Sequence, residues 1–293
     1  MPRRFTTLAW AAAVCTYLLI VLGAVVRITG SGLGCGEHWP LCNGHVFPPL
    51  TDIGTVIEWS HRLVAALVTM LVTALAAYGW LLRRGARSGE QVALGLLVVQ
   101  ILLGAITVKL SLPPWTVILH LGTAMLLLAT LLLVANAASP NVPPRSLALV
   151  ALAFVTVLLG ALTANLGAAA ACGGFPLCNG QVWATAGPLA VIHWTHRLLA
   201  YSLAIVVAVW AARSRRTGPA IVVGIIALQI IVGATMVLQG LPRALQAAHV
   251  AVGAALWAAV VIATCRTSQN QAAPGMPSPR PRSDSCESSL SSS

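Results

Sequence analysis

Stretches of about 20 apolar residues, the length an α-helix needs to cross a hydrocarbon core, recur from one end of this chain to the other. Eight can be read, at roughly 8–26, 60–82, 91–109, 115–135, 147–166, 191–212, 219–239 and 244–265. Composition agrees with them: 58% of the residues are hydrophobic and 8% are charged, where a soluble domain carries roughly a quarter charged. The chain therefore reads as an all-α membrane protein with eight transmembrane helices. The first run is long for a signal-peptide core, and the VRITGSG that follows it is a poor cleavage site, so it is read as a retained helix.

The basic residues give the orientation. With the N-terminus in the cytoplasm, the inside segments hold Arg3, Arg4, Arg83, Arg84, Arg87, Arg145, Arg213, Arg215, Arg216, Arg266, Arg280 and Arg282. The outside segments hold Arg27, Lys109 and Arg243. The positive-inside rule then places both termini in the cytoplasm. The net charge of +11 is thus a topology signal rather than a nucleic-acid footprint, which would need the charges on one folded face. From about residue 267 the chain turns rich in Ser and Pro, and a disordered cytoplasmic tail over 267–293 is expected.

The chain is also written twice. LGAVVRITGSGLGCGEHWPLCNG (22–44) matches LGALTANLGAAAACGGFPLCNG (159–180), and EWSHRLVA (58–65) matches HWTHRLLA (193–200). QILLGAITV (100–108) matches QIIVGATMV (229–237), and His120 follows Gln100 at the spacing by which His249 follows Gln229. Each copy holds four helices, an even number, so both enter the membrane in the same sense. Two parallel-repeat four-helix bundles follow, residues 1–140 and 141–266, related by a pseudo-two-fold axis along the membrane normal.

Four histidines fall in the outer third of that arrangement: His61 and His196 at the outer ends of helices 2 and 6, His120 and His249 a turn or two into helices 4 and 8. A lone membrane histidine is as readily an interhelical hydrogen-bonding group. A pair at matched depth, duplicated with its surroundings, points instead to an axial imidazole pair for heme iron, one porphyrin per half. Zinc would want three or four ligands at tighter spacing. Arg62 and Arg197 directly follow two of the histidines. They either snorkel to lipid phosphates or pair with heme propionates, which suit a planar guanidinium. Glu58 shares a helix face with His61, and His193 takes its place in the second copy. A carboxylate beside one porphyrin and not the other suggests that one half does chemistry and the other carries electrons. The alternative is that Glu58 caps its helix.

Cys35 and Cys42, and Cys172 and Cys178, lie in the first and third outer loops, in an oxidising compartment, and a disulfide in each is expected. Structural zinc would have only His38 and His45 to draw on. A staple and a redox relay both remain open. Cys15, Cys265 and Cys286 find no partner and read as packing or tail residues.

Taken together, EWSHR with His120, HWTHR with His249 and the two loop cysteine pairs resemble the heme A synthase family over roughly residues 8–265. The resemblance implies an oxidoreductase that converts the C8 methyl of heme O to a formyl group through hydroxylated intermediates. It implies a heme b whose iron is held axially by His196 and His249, a heme O substrate at His61 and His120, Glu58 as the catalytic carboxylate, and a Cys35–Cys42 disulfide. The implied partners are heme O, membrane lipid, a heme O synthase, and a quinone or another electron acceptor. The expected location is the bacterial plasma membrane, with the heme sites near the outer face. A di-heme b-type electron-transfer cytochrome explains the histidines equally well but gives Glu58 no task. A thiol oxidoreductase leaves the histidines unexplained, and a transporter expects broken helices near the midplane.

Overall fold

A computed structural model describes residues 3–49, 51–83, 89–136, 144–183, 187–214 and 216–271. Eight α-helices account for most of them: α1 (Arg3–Thr29), α2 (Ile53–Arg83), α3 (Gly89–Lys109), α4 (Pro114–Ala135), α5 (Pro144–Asn165), α6 (Pro188–Ser214), α7 (Thr217–Leu238) and α8 (Arg243–Gln271). All eight are long and apolar enough to cross a membrane. A short 3₁₀ turn at Ala168–Ala171 follows α5.

Several helices outrun their apolar stretches. Helix α1 begins at Arg3 rather than near residue 8, and α2 at Ile53 rather than near 60. With 31 residues, α2 is about 46 Å long, well beyond a core of about 30 Å. Its first two turns carry Thr55 and Glu58, polar residues that lower hydropathy without ending a helix. Helix α8 runs to Gln271, past the start expected for the tail. The rest of that tail, with Cys286, Arg280 and Arg282, lies outside the described residues, as do the boundary at 140/141 and Arg84, Arg87 and Arg215.

Prolines mark where helices start: Pro114, Pro144 and Pro188 stand first in α4, α5 and α6, a position whose N–H has no intrahelical partner anyway. Between α1 and α2, and again between α5 and α6, the chain forms a small hairpin closed by an Asn-Gly turn. Asn43 and Gly44 have φ of 51° and 81°, and Asn179 and Gly180 of 52° and 75°. Two successive positive φ angles are what a tight hairpin turn of this kind demands and Asn-Gly supplies. The flanking bridges pair Cys42 with His45 and Cys178 with Gln181.

Helices α1 to α4 close a ring in which each packs on the next and α4 returns to α1, and α5 to α8 close a second ring in the same order. Contacts of α1 with α8, α4 with α5 and α4 with α8 join the two. Within each ring, α2 faces α4 and α6 faces α8 across the middle. Lipid tails are as apolar as leucine, so close van der Waals packing between helices does the work. Helix α1 accordingly buries Ala9, Ala12, Ala13 and Thr16. The indole N–H of Trp257 on α8 donates to the Met125 carbonyl on α4 at 2.9 Å, and the Tyr17 hydroxyl on α1 donates to the Ala251 carbonyl on α8 at 3.1 Å.

Candidate functional site

The four histidines occupy matched registers. His61 stands eight residues after the first residue of α2, as His196 does after the first of α6. His120 and His249 each stand six residues into α4 and α8. At 1.5 Å per residue these are depths of about 12 and 9 Å below the helix starts. All lie toward the end that carries the disulfide loops, and all are half-buried. His61 and His120 are close enough to interact electrostatically, as are His196 and His249. Each pair therefore spans its ring from diagonally opposed helices.

What seats each ring is a glycine on the preceding helix. A Cβ placed on Gly23 would meet His61 Cε1 at 3.2 Å, and one on Gly104 would meet His120 Cε1 at 3.2 Å. On Gly160 it would meet His196 Cε1 at 2.8 Å, and on Gly233 it would meet His249 Cε1 at 3.0 Å. Four imidazoles thus lie edge-on in four notches where an added Cβ would press on the ring, most tightly at Gly160. Gly160→Ala, the tightest case, is expected to shift the His196 ring by several tenths of an ångström and to cut the heme that co-purifies at least severalfold. The heme extracted per mole of protein measures this, and wild-type content would refute the notch.

The ring nitrogens have different partners. His196 Nδ1 lies 3.1 Å from the Thr156 carbonyl, one turn before Gly160, and so carries the proton. His120 Nε2 lies 3.1 Å from the Gln100 amide, and His249 Nε2 lies 3.2 Å from the Gln229 amide. The Nδ1 atoms of His61, His120 and His249 are buried without a partner.

Above these rings the two copies of the octet diverge. The Glu58 carboxylate is buried and both its oxygens are bonded: Oε2 accepts from the Cys35 N–H at 2.7 Å, and Oε1 pairs with Arg62 Nη2 at 2.6 Å. Arg62 Nη1 also donates to the carbonyls of His38 and Leu41 at 2.7 and 2.6 Å, and to that of Pro40 at 3.4 Å. In the second copy Arg197 Nε donates to His193 Nε2 at 3.2 Å. Its Nη1 donates to the carbonyls of Gly174 and Leu177 at 3.0 and 2.9 Å, and its Nη2 to that of Cys172 at 2.8 Å. His38 and Gly174 hold the same place before the second cysteine, as do Leu41 and Leu177. Both guanidinium groups therefore clamp a disulfide loop to the helix below it. Neither the lipid-facing nor the propionate-facing role read from sequence anticipates this.

The cysteines pair as Cys35–Cys42 and Cys172–Cys178, while Cys15 and Cys265 are free. Among the described residues no cluster of three or more His, Cys, Asp and Glu side chains gathers. Two pairs of imidazoles, each pair facing from opposed helices, fit the axial donor set of a heme. Sequence reading missed Thr156, the two glutamines as imidazole partners, and the glycines. Their signal was available: each odd-numbered helix carries a Gly-Ala pair at matching depth, at 23–24, 104–105, 160–161 and 233–234.

A family model described as cytochrome oxidase assembly protein, COX15-CtaA, matches residues 6–261. A protein of Shouchella clausii named heme A synthase is 33% identical over 240 residues, covering 74% of this chain and 79% of the relative. Proteins of the same name from Halalkalibacterium halodurans (35% over 218 residues, 67% and 72% coverage) and Symbiobacterium thermophilum (31% over 271 residues, 82% and 88%) are similar along most of their length. This chain is an integral membrane member of the COX15-CtaA family of cytochrome oxidase assembly proteins.

Proposed function

We propose that this chain oxidises the C8 methyl group of heme O to a formyl group, giving heme A. The observation that carries the reading is a difference between two imidazole pairs in matched register: a carboxylate, Glu58, stands over the first, and His193 over the second. In this reading residues 1–140 form the substrate half, where His61 and His120 bind heme O. Residues 141–266 form the cofactor half, where His196 and His249 would hold a heme b. The two halves are related by a pseudo-two-fold axis along the membrane normal. When bound, heme b supplies one-electron transfer.

Conversion of methyl to formyl takes up one water and releases four protons and four electrons overall. Two hydroxylations, each adding a water oxygen and releasing two protons and two electrons, followed by loss of one water, satisfy that balance. Glu58 accepts a proton from the reacting methyl or steadies the positive charge that develops there. A quinone or another acceptor takes up the four electrons, for which a heme b held in the cofactor half would supply the route. No flavin, nicotinamide or phosphate-loop motif occurs in the sequence, which favours an acceptor that is small, membranous or another protein. The heme sites face the outside, both termini face the cytoplasm, and a heme O synthase delivers the substrate.

The test is to co-express the chain with a heme O-synthesising enzyme and to identify the extracted porphyrins, comparing wild type with Glu58→Ala. Heme A or its hydroxylated precursor is expected from wild type, with heme O accumulating in the variant. A second reading, a di-heme electron-transfer cytochrome, is favoured by the full hydrogen bonding of Glu58, which gives it a structural task. Heme b alone, unchanged in both strains, would establish that reading instead.

A further inference from the structure

We propose that Gln100 and Gln229 are positioning residues that make the α4 and α8 histidines the exchangeable ligand of each pair, a role that rests on the heme reading above. The side-chain amides of Gln100 and Gln229 reach the Nε2 atoms of His120 and His249, at 3.1 and 3.2 Å. Whichever end of the amide faces the ring, that nitrogen is engaged. If the amide N–H donates, it takes up the lone pair; if the amide oxygen accepts, the nitrogen carries the proton. Iron and amide therefore contend for one atom, and ligation here is an exchange of partners.

The facing histidines are set differently. His196 gives its Nδ1 proton to the Thr156 carbonyl, which leaves Nε2 with a free lone pair and fixes the ring plane, as outer partners of metal-bound imidazoles do. Among the described residues His61 makes no hydrogen bond through either ring nitrogen. The same division holds in both halves: an α2 or α6 imidazole with a free Nε2 faces an α4 or α8 imidazole whose Nε2 is already taken.

Local packing keeps the contest close. Gly104 and Gly233, each one turn after its glutamine, hold the rings edge-on, so the imidazole cannot swing far from the amide. The amide oxygens of Gln100 and Gln229 and the Nδ1 atoms of His120 and His249 are buried and otherwise unpartnered. An amide displaced by iron is left unpaired in an apolar interior, so it retakes the nitrogen whenever the metal lets go. In the substrate half this provides a way to release a product whose porphyrin ring is otherwise held from both faces. Simple helix-to-helix glue would need no such correspondence between the halves.

The test uses the full chain, reduced, with carbon monoxide as a competitor for the exchangeable iron position. On this proposal carbon monoxide binds where His249 leaves, and Gln229 holds His249 once it has left. Gln229→Leu is expected to keep wild-type heme content but to bind carbon monoxide about fivefold more weakly, the factor corresponding to one hydrogen bond. Gly233→Ala, which pushes the ring away, is expected to do the opposite. The sign separates positioning from loosening, since a variant that merely slackened the bundle would bind carbon monoxide more readily. In the substrate half, Gln100→Leu is expected to surrender heme O to apomyoglobin about fivefold more slowly, and this reads the proposal if the Gln229 variant does not accumulate. Unchanged or tighter carbon monoxide binding by Gln229→Leu, or a wild type that binds none, overturns the proposal while leaving the heme reading intact. A wild type without a Soret band overturns the heme reading itself.

Discussion

Alanine at His196 is expected to leave the purified chain with less than about a tenth of its heme b, while alanine at His61 leaves heme b in place and abolishes heme A formation. The two residues occupy the same register on α2 and α6, and each lies in a glycine notch on the helix before it. In register they match, although only His196 has a hydrogen-bond partner for its Nδ1. On the proposed function they differ in the group each pair holds, resident in one half and transient in the other. On that function, removing His196 deletes an axial ligand whose ring is fixed through the Thr156 carbonyl, and Arg197, bonded to His193 and to the loop above, is not free to replace it. Pyridine hemochrome spectra of the two variants, with extraction of product from co-expressing cells, measure both effects. Equal loss of heme b in both would refute the division into a substrate half and a cofactor half.

The eight helices, the repeat and the four histidines were legible because each rests on a signal that survives without coordinates. Apolar length reports a membrane span, duplication reports paired halves, and an ionisable group inside a span is conspicuous against its surroundings. Helix ends were less legible, as at α2, where Thr55 and Glu58 interrupt the hydropathy but not the hydrogen-bond ladder. The disulfides could be expected from their compartment. The roles of Arg62 and Arg197 could not, because a guanidinium that satisfies main-chain carbonyls is chosen by the path of the loop. The residues His38, Pro40 and Leu41 carry no side-chain signal for it. Gln100 and Gln229 were visible only as markers of the repeat, since their spacing from the histidines is long and crosses a turn between helices. The glycines stood in plain view, but a Gly-Ala pair in a membrane helix reads as ordinary close packing until a ring is seen against it.

Glu58 tests how far a carboxylate can serve structure and chemistry at once. Glu58→Gln keeps an oxygen to accept from the Cys35 N–H and leaves Arg62 its bonds to the loop carbonyls. The loop should therefore stay latched, while the negative charge and the capacity to take a proton are lost. Heme A formation is expected to fall by about a hundredfold or more, the range for removal of a general base, with the Cys35–Cys42 disulfide as resistant to mild reductant as in wild type. Arg62→Met does the reverse. It leaves the Glu58 side chain, 4% exposed, without its ion-pair partner, and strips the loop of its clamp. Breaking a buried pair from one side costs about 3–5 kcal/mol, so the loop should open and thiol labelling of Cys35 and Cys42 after mild reduction should rise at least tenfold. Lysine would not rescue it, because a point charge cannot reach a carboxylate and two carbonyls in the directions a guanidinium does. Full turnover by Glu58→Gln, with turnover lost in Arg62→Met, would make Glu58 an anchor for the disulfide loop. The chemistry of the first half would then have to be sought in water and the imidazoles, with the octet's one acidic residue serving to hold the lid.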